Sequence, residues 1–133
     1  MRHSRETAKS STKFRERESR TGELAWQQHW PGPCYSGSLA TGGGLVFVGR
    51  NDGRLTALDS ATGKQLWEFQ TGAGMHAGSS TFERGGKQYV LAYSAGNALI
   101  GSARGDRLWL FGLEGTLSPV QPGTPARRPE ERR

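Results

Sequence analysis

Apolar residues along the chain come in short runs separated by turn signals. Leu45-Val46-Phe47-Val48 is a brief apolar run approached through Gly42-Gly43-Gly44. Asn51-Asp52-Gly53 follows as a tight-turn sequence. Arg54-Leu55-Thr56-Ala57-Leu58 alternates polar and apolar positions, the pattern of a half-buried strand. After the turn Ser60-Ala61-Thr62-Gly63, Lys64 to Phe69 predicts the next strand, with Leu66 and Trp67 on opposite faces. A glycine-rich loop spans Gly72 to Gly78. Ser79 to Phe82 and Lys87 to Tyr93 are expected to pair across Arg84-Gly85-Gly86, and Arg107 to Leu113 predicts one more strand. No window of helical length carries a 3.6-residue period, so the chain reads as all-β: a sandwich, a barrel or a propeller.

An internal repeat separates these architectures. Thr21-Gly22-Glu23-Leu24-Ala25-Trp26 and Thr62-Gly63-Lys64-Gln65-Leu66-Trp67 share the form Thr-Gly-x-x-x-Trp at an offset of 41 residues. A period of about 40–45 residues is that of a four-stranded propeller blade. Upstream the first copy degrades: Glu16-Arg17-Glu18 stands opposite Ala57-Leu58-Asp59 and does not read as a strand. The first copy is therefore expected to supply only the end of a blade. Trp109 follows Gly105 by four residues, but its surroundings resemble the Leu55 to Asp59 stretch, which makes it a strand residue rather than a third copy.

Composition and charge delimit three zones: a basic, disordered segment 1–20, a blade region 21–117, and a disordered Pro/Arg-rich tail 118–133. The net charge of +6 over 133 residues suggests nucleic acid at first sight. Its placement argues against that: residues 1–20 carry a net +4, residues 126–133 a net +2, and the span between them none. A folded nucleic-acid reader would carry its basic stripe on the folded face, so no nucleic-acid partner is expected. Cys34 is the sole cysteine, which excludes an internal disulfide, a C-x-x-C zinc knuckle and attached c-type haem. No apolar stretch reaches a membrane span, and the polar N-terminal residues do not read as a secretory signal.

The stretch Ala57-x-Asp59-x-x-Thr62-Gly63-x-x-x-Trp67 resembles the tryptophan-docking motif of quinoprotein propellers. Each part has a physical role. Ala57 is small enough for a ring to lie against it. Asp59 can accept backbone N–H groups in an Asx turn, and Gly63 can take the positive φ that closes the turn. Trp67 offers a flat surface that the resemblance implies is stapled between blades, as Gly22 and Trp26 would do in the first copy. Beyond this motif, Trp30 to Phe47, Gly85-Gly86-Lys87-Gln88-Tyr89-Val90 and Ser94-Ala95-Gly96-Asn97 resemble the last part of pyrroloquinoline quinone (PQQ) dependent alcohol dehydrogenases. The likeness covers roughly residues 20–117. It implies about one to one-and-a-half four-stranded antiparallel blades of an eight-bladed propeller.

The same resemblance implies a role in PQQ-linked oxidation of a small alcohol, in the periplasm, by a portion inactive alone. Tyr35 occupies the place of an aromatic residue near the cofactor plane, where relatives often have tryptophan. Asn97 stands at or beside a tryptophan position in a loop that often reads Gly-Trp-Gly, and its amide could bond a quinone oxygen or carboxylate. The family's catalytic aspartate, calcium ligands and adjacent-cysteine disulfide match no position here, so missing blades would have to come from another chain, if they come at all. The competing reading is a non-enzymatic propeller scaffold. Gly72-x-Gly74-x-x-x-Gly78 misses dinucleotide-loop spacing. His29 and His76 lack partners at metal spacing and read as loop residues. Asp52 and Asp59 read as turn residues rather than catalysts.

Overall fold

A computed structural model describes residues 11–128. Nine strands follow one another: β1 (Ser11–Arg17), β2 (Leu24–Pro31), β3 (Ser38–Ala40), β4 (Leu45–Gly49), β5 (Arg54–Asp59), β6 (Gln65–Gln70), β7 (Ser80–Arg84), β8 (Lys87–Ser94) and β9 (Arg107–Gly112). A single 3-10 turn, Ala98–Ile100, interrupts the β8–β9 connection. All pairings are antiparallel between sequence neighbours, which gives a two-stranded, a four-stranded and a three-stranded sheet. The four-stranded sheet β3-β4-β5-β6 is one complete blade, and the others are parts of its two neighbours.

The turns act as their residues dictate. Gly85 and Gly86 both have positive φ (61° and 74°), which lets a two-residue connection join β7 to β8 with the strands' own twist. The Asp59 carboxylate closes the β5–β6 turn by accepting the N–H groups of Ala61 and Thr62 at 2.9 Å each.

The repeat extends to backbone detail. Gly63 N–H bonds Asp59 O at 2.8 Å and Gly22 N–H bonds Glu18 O at 2.7 Å, again 41 residues apart. The register irregularity between Ala57 and Leu58 recurs between Glu16 and Arg17. These shared features make β1–β2 the structural counterpart of β5–β6.

Two expectations about the tails change here. Residues 11–17 form β1 rather than coil, and Glu16 and Arg17 lie within it. One apolar side chain suffices: the ring of Phe14 lies 5.8 Å from Trp26 and 5.9 Å from Trp30, while its charged neighbours Lys13 and Arg15 stay exposed. Residues 118–128 have no regular secondary structure but lie against the sheets, with Val120 N–H on Gln70 O at 3.0 Å and Ala126 N–H on Ser102 O at 3.3 Å. The expectations for residues 1–10 and 129–133 fall outside the described residues.

The complete blade is covered on both faces. Val46, Val48 and Leu58 pack against Trp26 and Trp30 of the first sheet. Leu55 packs on the other side with Met75 and Ala92, joined by Phe47 and Phe111. This two-sided cover explains why β5 is buried at four consecutive positions, Leu55 to Leu58. Full burial of Leu55 and Leu58 contributes about 1.5–3 kcal/mol each.

Candidate functional site

Antiparallel order sorts the connections to two ends. The β2–β3, β4–β5, β6–β7 and β8–β9 connections share one end, and the β3–β4, β5–β6 and β7–β8 turns share the other. Glycines let the first set approach closely. Gly74 N–H bonds Ala103 O at 2.9 Å and Gly96 N–H bonds Gly74 O at 2.8 Å, which ties the β6–β7 loop to the β8–β9 loop. A Cβ on Gly74 would come within 2.5 Å of Ser102. On its other side the β6–β7 loop meets the β2–β3 loop, where Ser36 Oγ donates to Ala77 O at 3.2 Å and accepts from Gly49 N–H at 3.3 Å.

Tyr35 and Asn97 both stand at this end. Tyr35 lies in the β2–β3 loop with its side chain 65 % exposed. Asn97 precedes the 3-10 turn. Its Oδ1 accepts the N–H of Leu99 at 2.9 Å, and the residue is exposed. Its backbone N–H donates to Ser102 Oγ at 2.6 Å. The two expected cofactor residues are thus on separate loops, each braced against the β6–β7 loop between them.

That brace includes residues the sequence did not single out. Ser102 is buried, and its Oγ meets His76 Nε2 at 3.0 Å and donates to Asn97 O at 3.2 Å. His76, expected as a plain loop residue, therefore helps hold the Asn97 loop. Burial pushes its pKa down, which favours the neutral ring. The Ser102 hydroxyl is engaged on all sides and closed to solvent, so the pair is a strut and not a nucleophile with its base.

Arg50 is a second unforeseen feature. It is buried, stacks 5.0 Å from the Trp30 ring, and pairs with Asp52 at 3.2 Å. Cys34 sits nearby, and burial raises its thiol pKa more than its hydrogen bonding and Arg50 lower it. A cleft of about 460 Å³ opens between Gly72, Arg104, Arg107 and Val120. Among the described residues, no group of three His, Cys, Asp or Glu side chains could hold a metal ion.

The docking residues lie at the opposite end. Trp26 lies flat against Gly63, where a Cβ would come 2.5 Å from the indole, and its Nε1–H donates to Ser60 O at 2.8 Å. Gln28 adds a bond to Gly63 O at 2.6 Å. The first copy's tryptophan is therefore seated on the second copy's turn. Asp59, whose carboxyl pKa is lowered chiefly by the N–H and hydroxyl of Thr62, rigidifies that turn. Gly22 closes the equivalent turn of the first copy. Ala57 is buried and sits opposite Phe47 and Trp67. Trp67 itself remains 40 % exposed and meets Phe111 of the third sheet edge-on at 5.6 Å.

Comparison with known proteins assigns the chain to a family. Residues 9–90 match the PQQ family described as glucose/ethanol/alcohol dehydrogenase, beta-propeller domain. The quinoprotein alcohol dehydrogenase PedE of Pseudomonas putida is 39 % identical over 103 residues, covering 68 % of this chain and 16 % of that protein. The quinoprotein ethanol dehydrogenase of Pseudomonas aeruginosa is 36 % identical over 105 residues, covering 70 % and 17 %. Among solved structures, the quinohemoprotein alcohol dehydrogenase ADHIIG of Pseudomonas putida superposes with a TM-score of 0.74 at 29 % identity, covering 90 % of this chain and 19 % of that one. The chain thus spans about a sixth of the length of the curated relatives it matches. With one complete blade, two partial neighbours and a tryptophan-seated turn between them, it belongs to the PQQ-type alcohol dehydrogenase β-propeller family.

Proposed function

We propose that this chain contributes one part of the cofactor face of a PQQ-dependent alcohol dehydrogenase and does not oxidise alcohols by itself. The observation that carries the reading is the common placement of Tyr35 and Asn97. An exposed aromatic ring and an exposed side-chain amide stand at the same end of the blades, on two loops with the β6–β7 loop between them. PQQ is planar and carries carboxylates and quinone oxygens, and these two groups suit it: a ring face for its plane and an N–H donor for an oxygen. When bound, PQQ supplies the acceptor for the two electrons released as an alcohol becomes an aldehyde.

The chain's own residues hold and orient. Tyr35 would offer PQQ an aromatic surface and Asn97 an amide donor, and the His76–Ser102 strut fixes the Asn97 loop. General-base and metal-binding groups have to come from other blades, which are absent from this chain, and calcium is expected there and not here. By analogy with its relatives, the working compartment is the periplasm.

The test is Tyr35→Ala in a propeller completed by the remaining blades, with PQQ affinity measured by fluorescence titration. Loss of one ring contact predicts a fall of about tenfold, or ~1.4 kcal/mol. Unchanged affinity would remove Tyr35 from the cofactor site and favour the scaffold reading.

A further inference from the structure

The two residues that flank Tyr35 grip the same piece of backbone. β3 pairs with β4 only as far as Val48, so Gly49 lies one residue beyond that ladder. Side chains of the β2–β3 loop take up its polar groups instead. The Cys34 thiol donates to Gly49 O at 3.6 Å, and Ser36 Oγ accepts from Gly49 N–H at 3.3 Å. The Ser36 proton has two carbonyls within reach, Gly37 O at 2.8 Å and Ala77 O at 3.2 Å. Cys34 and Ser36 are half-buried, whereas Tyr35 between them is exposed. The loop tip thus turns two short polar side chains inward and one ring outward.

The anchor is itself fixed by its surroundings. Gly49 is buried, and a Cβ there would come 2.7 Å from Met75 Cβ and 3.1 Å from Ser36 Oγ. Only a residue without a side chain lets the β2–β3 and β6–β7 loops close on this point. Met75 is fully buried with Leu55 and Ala92, and its N–H donates to Arg50 O at 3.0 Å. Arg50 in turn holds the start of the same loop by stacking on Trp30. Between these two points of attachment, Pro31 and Pro33 fix two φ angles. Entry and tip of the loop are therefore both tied to Gly49 and Arg50, at the end of β4.

We propose, on the reading that Tyr35 faces PQQ, that Ser36 is a positioning residue for the Tyr35 ring. With Cys34 it pins the loop tip to Gly49, so the ring is in place before the cofactor arrives. A ring on a slack loop has to be ordered when the ligand binds, and that ordering lowers affinity; a pinned loop has met the cost on folding. Ser36 acts through Tyr35 and makes no cofactor contact of its own.

A double-mutant cycle tests this in the completed propeller, with PQQ affinity read by fluorescence titration. Ser36→Ala is expected to weaken binding about fivefold with an unchanged circular dichroism spectrum. In the Tyr35→Ala background it should have no further effect, whereas a general defect of the fold would persist in both. In the full chain without PQQ, 3-fluorotyrosine labels three positions. The fluorine resonance of Tyr35, assigned with Tyr35→Phe, should narrow in Ser36→Ala as the loop tip loosens. Equal losses in both Tyr35 backgrounds, full affinity in Ser36→Ala beside a weakened Tyr35→Ala, or an unchanged Tyr35 linewidth would each overturn the positioning role. Full affinity in Tyr35→Ala would instead remove the cofactor role of that ring, and the positioning role with it.

Discussion

Gly63 and Gly22 allow the contact between blades to be separated from the turn that supports it. Both close a turn with the same backbone bond, and their φ angles are 73° and 72°. An alanine at either position adopts a left-handed conformation that costs about 1–2 kcal/mol. Only the surroundings differ. A Cβ at position 22 meets nothing within 4 Å, whereas one at position 63 would come 2.5 Å from Cδ2 and Cε3 of Trp26 and 2.8 Å from its Cγ. The indole is held by its bond to Ser60 O and cannot retreat without losing that bond and its contacts with Phe14. Such overpacking adds about 1–3 kcal/mol. Gly22→Ala is therefore expected to cost about 1–2 kcal/mol and Gly63→Ala about 2–5 kcal/mol. Urea unfolding followed by tryptophan fluorescence gives both values. Equal losses in the two variants, within about 0.5 kcal/mol, would refute the claim that Trp26 seated on Gly63 couples the sheets.

Two further outcomes follow from single side chains. The Thr56 hydroxyl is fully buried and has no hydrogen-bond partner among the described residues, so Thr56→Val should raise stability by about 1 kcal/mol, and a loss of that size in thermal unfolding would contradict the assignment. The native pKa of Asp59 lies below its unfolded value, so the unfolded state binds more protons on the acid side; the stabilisation is complete above about pH 4 and is lost as pH falls through the native value. Asp59→Asn should flatten that part of the stability profile, and an unchanged acid slope would exclude this turn as its source.

Strands β4 to β9 were legible because tight turns and apolar runs alternate there; the three-residue β3 carries no such run and was not read. β1 was not, because a single inward phenylalanine carries it and its hydrogen-bond partner β2 does the rest. The packing of 118–128 was hidden for a related reason: it rests on backbone bonds from Val120 and Ala126, which no side-chain pattern announces. At the candidate site, the resemblance pointed to Tyr35 and Asn97 but not to the pairing of His76 with Ser102, which joins positions 26 residues apart across two loops. Arg50 was overlooked because a lone arginine in a turn reads as solvated. Only the aromatic Trp30, 20 residues earlier, could have hinted at its burial.

The central claim is that this segment supplies a working part of a PQQ-binding propeller. The most direct measurement replaces the matching segment of a quinoprotein alcohol dehydrogenase with residues 20–117 of this chain and titrates the purified chimaera with PQQ. A saturable tryptophan-fluorescence change, weakened together by Tyr35→Ala and Asn97→Ala, is the expected result. A chimaera that folds with the parent's circular dichroism spectrum yet shows no PQQ binding would contradict it.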